Sequence, residues 1–277
     1  VITAPTEPTI LYRPRSRFLG SLYAGNARSV MSRGALATRR SNSLIVISGF
    51  FEPIFYLVSL GFGLNSLVGP VATTTGQLVP YAAFIAPGLL AVAAMNGAIY
   101  DSTWNVFFKM HYSKLYQGML STSLGPLDVA LGEIALALAR GGVYAIGFLI
   151  VMQVLGLNLA WTAILALPAV LLIAFGFASL GMAVTSFMKS FQQMDWVNFV
   201  MLPLFLFSAT FYPITVYPAP IQWIVQVLPL WQGVELVRGL TTGSLDIAML
   251  GHVLYYVVLI VVGLFFATTR LKALFLD

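Results

Sequence analysis

The amino-acid sequence predicts an all-α integral membrane protein with six transmembrane helices, an N-terminal amphipathic interfacial helix and an extracellular re-entrant helical hairpin between helices five and six. Three observations lead there. Only 8% of the 277 residues are charged and 59% are hydrophobic, whereas a soluble domain carries roughly 25% charged residues, so most of the surface must face lipid or other apolar helices. The apolar residues are gathered into long runs separated by short polar segments. The basic residues in those segments fall almost entirely on one side of a six-span arrangement, which is the signature of membrane topology.

Residues 1–43 form a polar, basic, cytoplasmic N-terminal segment, with Pro5, Pro8 and Pro14 marking an extended start. Within it, residues 18–38 read as the amphipathic helix. Leu19, Leu22, Tyr23, Ala27, Val30 and Met31 recur at helical spacing, while Arg28, Ser29, Ser32 and Arg33 lie off that stripe. Such a helix lies in the inner membrane interface, with Arg28 and Arg33 at the headgroups. Residues 44–277 form the transmembrane domain. Its spans are expected at 44–64, 79–100, 131–155, 161–187, 196–211 and 247–269. Between the fifth and sixth, Pro213, Pro218, Pro220 and Pro229 cut a mostly apolar stretch into pieces too short to cross. Two short helices, 221–228 and 230–240, fit there and make the hairpin, because non-helical backbone at membrane depth persists only where protein or water satisfies its polar groups.

Orientation follows from the basic residues. Arg13, Arg15, Arg17, Arg28, Arg33, Arg39 and Arg40 precede span one, and Lys109, Lys114 and Arg140 lie between spans two and three or in the early turns of span three. Lys189 separates spans four and five, Arg270 and Lys272 follow span six, and only Arg238 falls on the opposite side. The excess of positive charge places both termini in the cytoplasm. The formal charge of +5 therefore reports topology, and no nucleic-acid partner is expected.

Catalytic signals are missing from the sequence. It has no G-x-x-x-x-G-K-[ST] phosphate loop, no nucleophile elbow and no zinc-protease motif, so the chain is not expected to be an enzyme or to hydrolyse ATP by itself. Cysteine is absent and the two histidines, His111 and His252, have no partners at ligand spacing, so no metal is expected either. Ionisable groups inside spans are costly and often functional. Glu52, followed by Pro53 in span one, can face a substrate path, pair with a basic group or carry a proton; the structural alternative is a pair near the inner end. Glu133 and Arg140 lie seven residues apart on one face of span three, roughly 10 Å along its axis, with Arg140 able to snorkel or to bind a carboxylate on another helix. Asp101, Asp128 and Asp195 at cytoplasmic ends read as solvated. Phe50, Phe51, Phe55, Met201, Phe205 and Phe207 either line a path for an apolar substrate or pack and face lipid. Small residues in spans three and four (Gly141, Gly142, Ala145, Ala174, Gly176, Ala178 and Gly181) permit close helix contact. The segment DSTWNVFFKMHYSKLYQGMLSTSLGPLD, 101–128, carries amphipathic helical spacing from Trp104 to Leu120. That helix would present Lys109, His111, Lys114 and Tyr116 to a groove on a soluble partner, or touch only headgroups.

Residues 100–133, a helical cytoplasmic loop followed by LDVALGE at the opening of span three, resemble the ABC-2-type exporter permeases. Within that family they look closest to the nodulation lipo-oligosaccharide export permeases and more distantly similar to daunorubicin-resistance-type drug exporters. Three further segments agree in order: FFEPIFYLVSLGFGL at 50–64, FGFASLGMAVTSF at 175–187 and SATFYPITVYPAPIQWIVQVLPLWQGVELVRGLTTG at 208–243. The resemblance covers nearly everything after residue 18. It implies the membrane subunit of an ATP-driven exporter of a bacterial inner membrane, moving a glycolipid, lipid-linked saccharide or hydrophobic drug outward. It implies a separate ATP-binding subunit in two copies, which would carry ATP and Mg²⁺, and a second permease chain, identical or not. The interfacial helix and Trp104, Lys109, His111, Lys114 and Tyr116 would contact that subunit. The outer hairpin, with Glu235 and Arg238, would help close the exit. The alternative is a proton-coupled secondary transporter using Glu52.

Overall fold

The computed structural model describes residues 23, 25–39, 51 and 54–275. Phe50 and Glu52 lie outside the described residues, as do residues 44–50, 52 and 53 of the first expected span. Helix α1 (Ala27–Arg39) comes first. After a π-helical segment at Leu57–Phe62, a two-residue antiparallel pair, β1 (Val71–Ala72) with β2 (Leu78–Val79), turns at Gly76, whose φ of 83° suits glycine. The remaining elements are helices: α2 (Tyr81–Tyr100), α3 (Leu115–Leu120), α4 (Pro126–Val154), α5 (Ala166–Phe187), α6 (Met194–Phe207), α7 (Ala219–Val227), α8 (Pro229–Thr242) and α9 (Ala248–Phe275).

Among the described residues, four helices are long and apolar enough to cross a membrane: Tyr81–Tyr112, Pro126–Val154, Trp161–Phe187 and Ala248–Phe275. They correspond to the expected second, third, fourth and sixth spans. Helix α6, expected to run to residue 211, stops at Phe207 because Ala209 turns the chain with φ 52°. Its 14 residues rise about 21 Å, short of a core of roughly 30 Å.

The second span is longer than its apolar run. Helix α2 continues without a break through π-helical turns at Asp101–Asn105 and Phe108–Tyr112, until Lys114 adopts a left-handed φ of 48°. The helix expected at residues 104–120 is thus two pieces, the tail of α2 and the separate α3.

Close packing follows the small residues. A β-carbon at Gly176 would lie 2.6 Å from the Tyr256 ring, and one at Gly263 would lie 2.7 Å from the backbone of Ser179, so α5 and α9 touch nearly backbone to backbone. Gly142 faces Leu171 of α5, whereas Gly141 meets nothing within 4 Å. Helix α8 is buried from Leu230 to Thr242 except at Gln232 and packs on α2, α5 and α9. Its last carbonyls are satisfied: Thr162 donates its hydroxyl to Leu240 at 2.6 Å, and the Leu159 amide donates to Thr241 at 2.9 Å. Gly243, with φ 78°, ends the helix in the left-handed conformation.

Candidate functional site

A cavity of about 700 Å³ opens between α2, α4 and α6, a size that holds a drug-sized molecule. Leu89, Leu90, Phe148, Met201 and Phe205 make its apolar wall, and Tyr56 and Gly141 also border it. Polar groups gather toward the Asp101 end: Asn96, Asp101, Arg140, Tyr144 and Asn198. Arg140 and Asp101 form an ion pair there, the carboxylate also accepting a bond from Asn105 at 2.8 Å. Burial explains the pairing, since an unpaired charge in this setting would be expensive. One wall of the cavity is thinly supported. Of the residues of α6 only Met194, at its first position, is buried. It packs with Phe107 and Met188, so the helix is anchored at its start, while Met201, Leu204 and Phe205 are only partly buried against the core.

A second cluster joins four elements at the end of the bundle beyond Asp101. Glu133 on α4 accepts a bond from Lys109 at 2.5 Å and lies 3.7 Å from the Arg33 guanidinium of α1. Five residues earlier, Asp128 is fully buried and accepts the backbone amides of Gly125 and Asn26, both at 2.9 Å. It thereby caps α4 and holds the entry to α1 at once. Helix α1 lies close on α4 because Gly132 leaves room: a β-carbon there would sit 2.5 Å from Cβ of Val30. Tyr116 on α3 is completely buried beside these charges, with no partner for its hydroxyl among the described residues. Desolvation first, and the Glu133 carboxylate second, push its phenol well above the ordinary value, with Arg33 opposing.

A third cluster lies at the other end. Arg238 on α8 is 2% exposed and pairs with Glu235 one turn earlier. It also donates to the carbonyls of Phe84 at 3.2 Å and Ala209 at 3.0 Å, and its guanidinium stacks over the Phe84 ring at 3.9 Å. Glu235 in turn accepts the Thr74 hydroxyl at 2.9 Å. One arginine therefore joins α8, α2, the β1–β2 turn and the strained residue after α6.

Several expectations change. Tyr116 is not presented at the surface, and Lys109 is engaged by Glu133. His111 bonds the Met188 carbonyl at 3.1 Å, and Trp104 packs edge-on to Phe191 at 5.2 Å. Lys114 alone of that set is exposed with no side-chain hydrogen bond or ion pair among the described residues. Asp101 and Asp128 are paired or buried rather than solvated, because the helix runs on past Asp101, whose carboxylate pairs with Arg140, and Asp128 caps the buried start of α4; Asp195 is exposed as expected. Glu133 and Arg140 do share a helix face, yet each pairs with α2. Arg140 stands midway along α4, because the helix begins at Pro126. Arg33 turns inward to Glu133, while Arg28 is exposed. Met201 and Phe205 line the cavity, whereas Phe55 and Phe207 are exposed on its outside. Glu235 and Arg238 are brought together as a buried pair.

The sequence comparisons agree with this architecture. Residues 26–242 match the family model described as ABC-2 type transporter. The chain is similar to Nodulation protein J of Rhizobium leguminosarum bv. viciae, with 30% identity covering 89% of this chain and 94% of that protein. Nodulation protein J of Rhizobium leguminosarum bv. trifolii is 29% identical over 88% of this chain and 92% of its own length. The Bradyrhizobium diazoefficiens protein of the same name is 31% identical over 78% and 80% respectively. Long apolar helices enclosing a cavity, and a family match spanning α1 to α8, lead to one conclusion: the chain belongs to the ABC-2 type transporter family, as a membrane-embedded transport subunit whose family implies a separate ATP-binding partner.

Proposed function

We propose that this subunit is the permease of an exporter that moves an amphipathic molecule outward across a bacterial inner membrane. The observation that carries this reading is the cavity between α2, α4 and α6, with apolar walls and an ion pair at one end. A wholly polar solute would give up hydrogen bonds to water against those walls, and a wholly apolar one would shut the polar end of the cavity off from water. Glycolipids, lipid-linked saccharides and amphipathic drugs fit the requirement.

The working unit in this reading contains two permease chains, identical or not, and two ATP-binding subunits that carry ATP and Mg²⁺. Residues 1–43 are the cytoplasmic segment and 44–277 the transmembrane domain. Six spans bring both termini to the cytoplasm, with α6 and the 3₁₀ turn Phe191–Gln193 before it together as the fifth and α7–α8 as the outer re-entrant hairpin. The docking face for the ATP-binding subunit consists of exposed Tyr112, Lys114 and Gln117 with Arg28 and Leu36 of α1. Trp104, Lys109 and Tyr116 support that face from beneath, and His111 lies exposed beside it. The Glu235–Arg238 pair holds the outer exit shut.

The test is purification from native membranes followed by transport in inside-out vesicles. Co-purification of a subunit carrying a phosphate loop, with uptake that requires ATP hydrolysis, is the expected result. Recovery of this chain alone, with uptake driven by a proton gradient and lost in Glu52→Gln, would replace the reading with a proton-coupled carrier. Membership of the ABC-2 family favours the first outcome.

A further inference from the structure

Two ion pairs connect α2 to α4, and their spacing is unequal. Asp101 pairs with Arg140, and Lys109 pairs with Glu133. The two partners on α4 are seven residues apart, which is two turns of an ordinary helix. Those on α2 are eight apart, one more than two α-helical turns hold. The stretch between them contains the π-helical turn Asp101–Asn105 and ends in the opening of a second, Phe108–Tyr112. A π turn closes i→i+5 rather than i→i+4 and holds more residues, which absorbs the additional one and brings both rungs into register. In a purely α-helical tail, a residue eight positions on would be rotated by roughly 80° from the start of the stretch. Only one rung would then face α4.

We propose that Glu133 is a positioning residue for the cavity. Through Lys109 it holds the tail of α2 in its π-helical register, and that register presents Asp101 to Arg140. The inner pair is within reach of the docking face: Lys109 is 28% exposed, and the exposed turn at Ser113 and Lys114 follows directly. The second pair lies in the cavity wall. Movement at the inner end of α2 is therefore read out as release or capture of the Arg140 guanidinium inside the cavity. This inference takes the cavity as the transport site from the proposed function, but the geometry it tests does not depend on that reading.

The experiment is phenylglyoxal labelling of the full complex in lipid nanodiscs, with modification of each arginine quantified by peptide mass spectrometry. Glu133→Gln and Lys109→Gln should each raise the Arg140 labelling rate at least 5-fold, and the exchanged pair Lys109→Glu with Glu133→Lys should return it to the parental rate. Arg33→Gln, which removes the other neighbour of Glu133, should leave Arg140 protected. Arg238, 2% exposed, reports on folding in the same spectra. If it loses protection in Glu133→Gln, the partly exposed Lys109 position decides the matter. Unchanged Arg140 labelling in Lys109→Gln would overturn the proposal. So would equal labelling in Arg33→Gln, which would make Glu133 merely the anchor of α1. Parental ATP hydrolysis alongside unchanged labelling would leave the transporter reading standing while this inference fails.

Discussion

Replacing Arg238 with alanine removes the guanidinium that ties four parts of the outer end together. The cost can be worked from its contacts. Removing one partner of a buried pair costs about 3–5 kcal/mol, because the remaining charge is left uncompensated. Glu235 is 8% exposed and keeps one bond, from Thr74 at 2.9 Å, which holds that penalty to the lower half of the range. The carbonyl of Ala209 loses its 3.0 Å partner on a backbone already held at φ 52°, adding about 1 kcal/mol. The net expectation for Arg238→Ala is a loss of about 4 kcal/mol. Glu235→Leu combined with Arg238→Met should recover more than half of it, since an apolar pair of similar volume leaves no buried charge. Equilibrium unfolding in SDS-containing mixed micelles, followed by tryptophan fluorescence, measures both, and the double-mutant cycle isolates the coupling. An Arg238→Ala variant within about 1 kcal/mol of the parent, or a double variant no more stable than the single one, would refute the assignment of this pair as the outer clasp.

Three other outcomes are expected. Gly132→Ala should force α1 off α4, since the new β-carbon would lie 2.5 Å from Val30 and 2.9 Å from the Ala27 carbonyl; hydrogen exchange across residues 27–39 should rise at least tenfold, with α5 and α9 unchanged. Gly263→Ala meets the backbone of Ser179 at 2.7 Å, which no side-chain rotation relieves, and should cost about 1–3 kcal/mol in the same mixed-micelle unfolding measurement. Lys114→Glu, at an exposed position, should weaken co-purification of the ATP-binding subunit without lowering the thermal midpoint of this chain. Lys109→Glu should lower both, because it places like charges at the 2.5 Å contact with Glu133.

Much of the fold was legible because apolar length is a strong signal. The runs behind α2, α4, α5 and α9 exceed what any soluble core strand or helix needs, and the prolines at 213, 218, 220 and 229 forced the split into α7 and α8. Other features carry no such signal. The tail of α2 contains Asp101, Asn105, Lys109 and His111, so its polarity reads as a separate cytoplasmic helix over 104–120, and its π-helical turns shift side chains off the faces that an α-helical period assigns. Strands of two residues, like β1 and β2, are too short for alternation to register. Asp128 reads as an ordinary solvated cap, because a sequence does not reveal that α1 will fold back over it. The capping signal Gly-Pro-Leu-Asp at 125–128 was present, and a carboxylate at the third helical position is the one clue to its role. The cavity is invisible in the sequence for a related reason: every span is apolar on most faces, so hydropathy gives no hint which face of α6 turns toward α2 and α4.

The burial of α8 has a consequence for how the protein is made. Its surroundings come from α2, α5 and α9, and α9, Ala248–Phe275, follows α8 in the chain. The seat for α8 is therefore incomplete until α9 has been synthesised. At ribosomal rates of about 5–20 residues per second, the stretch from Thr242 to the end of α9 takes roughly 2–7 s to emerge. For that interval a helix bearing Trp231, Leu236, Val237 and a paired Arg238 waits without its final neighbours. The insertion machinery must shelter it until α9 arrives, and a stop codon placed anywhere before Ala248 would be expected to yield a chain that inserts its early spans and is then degraded.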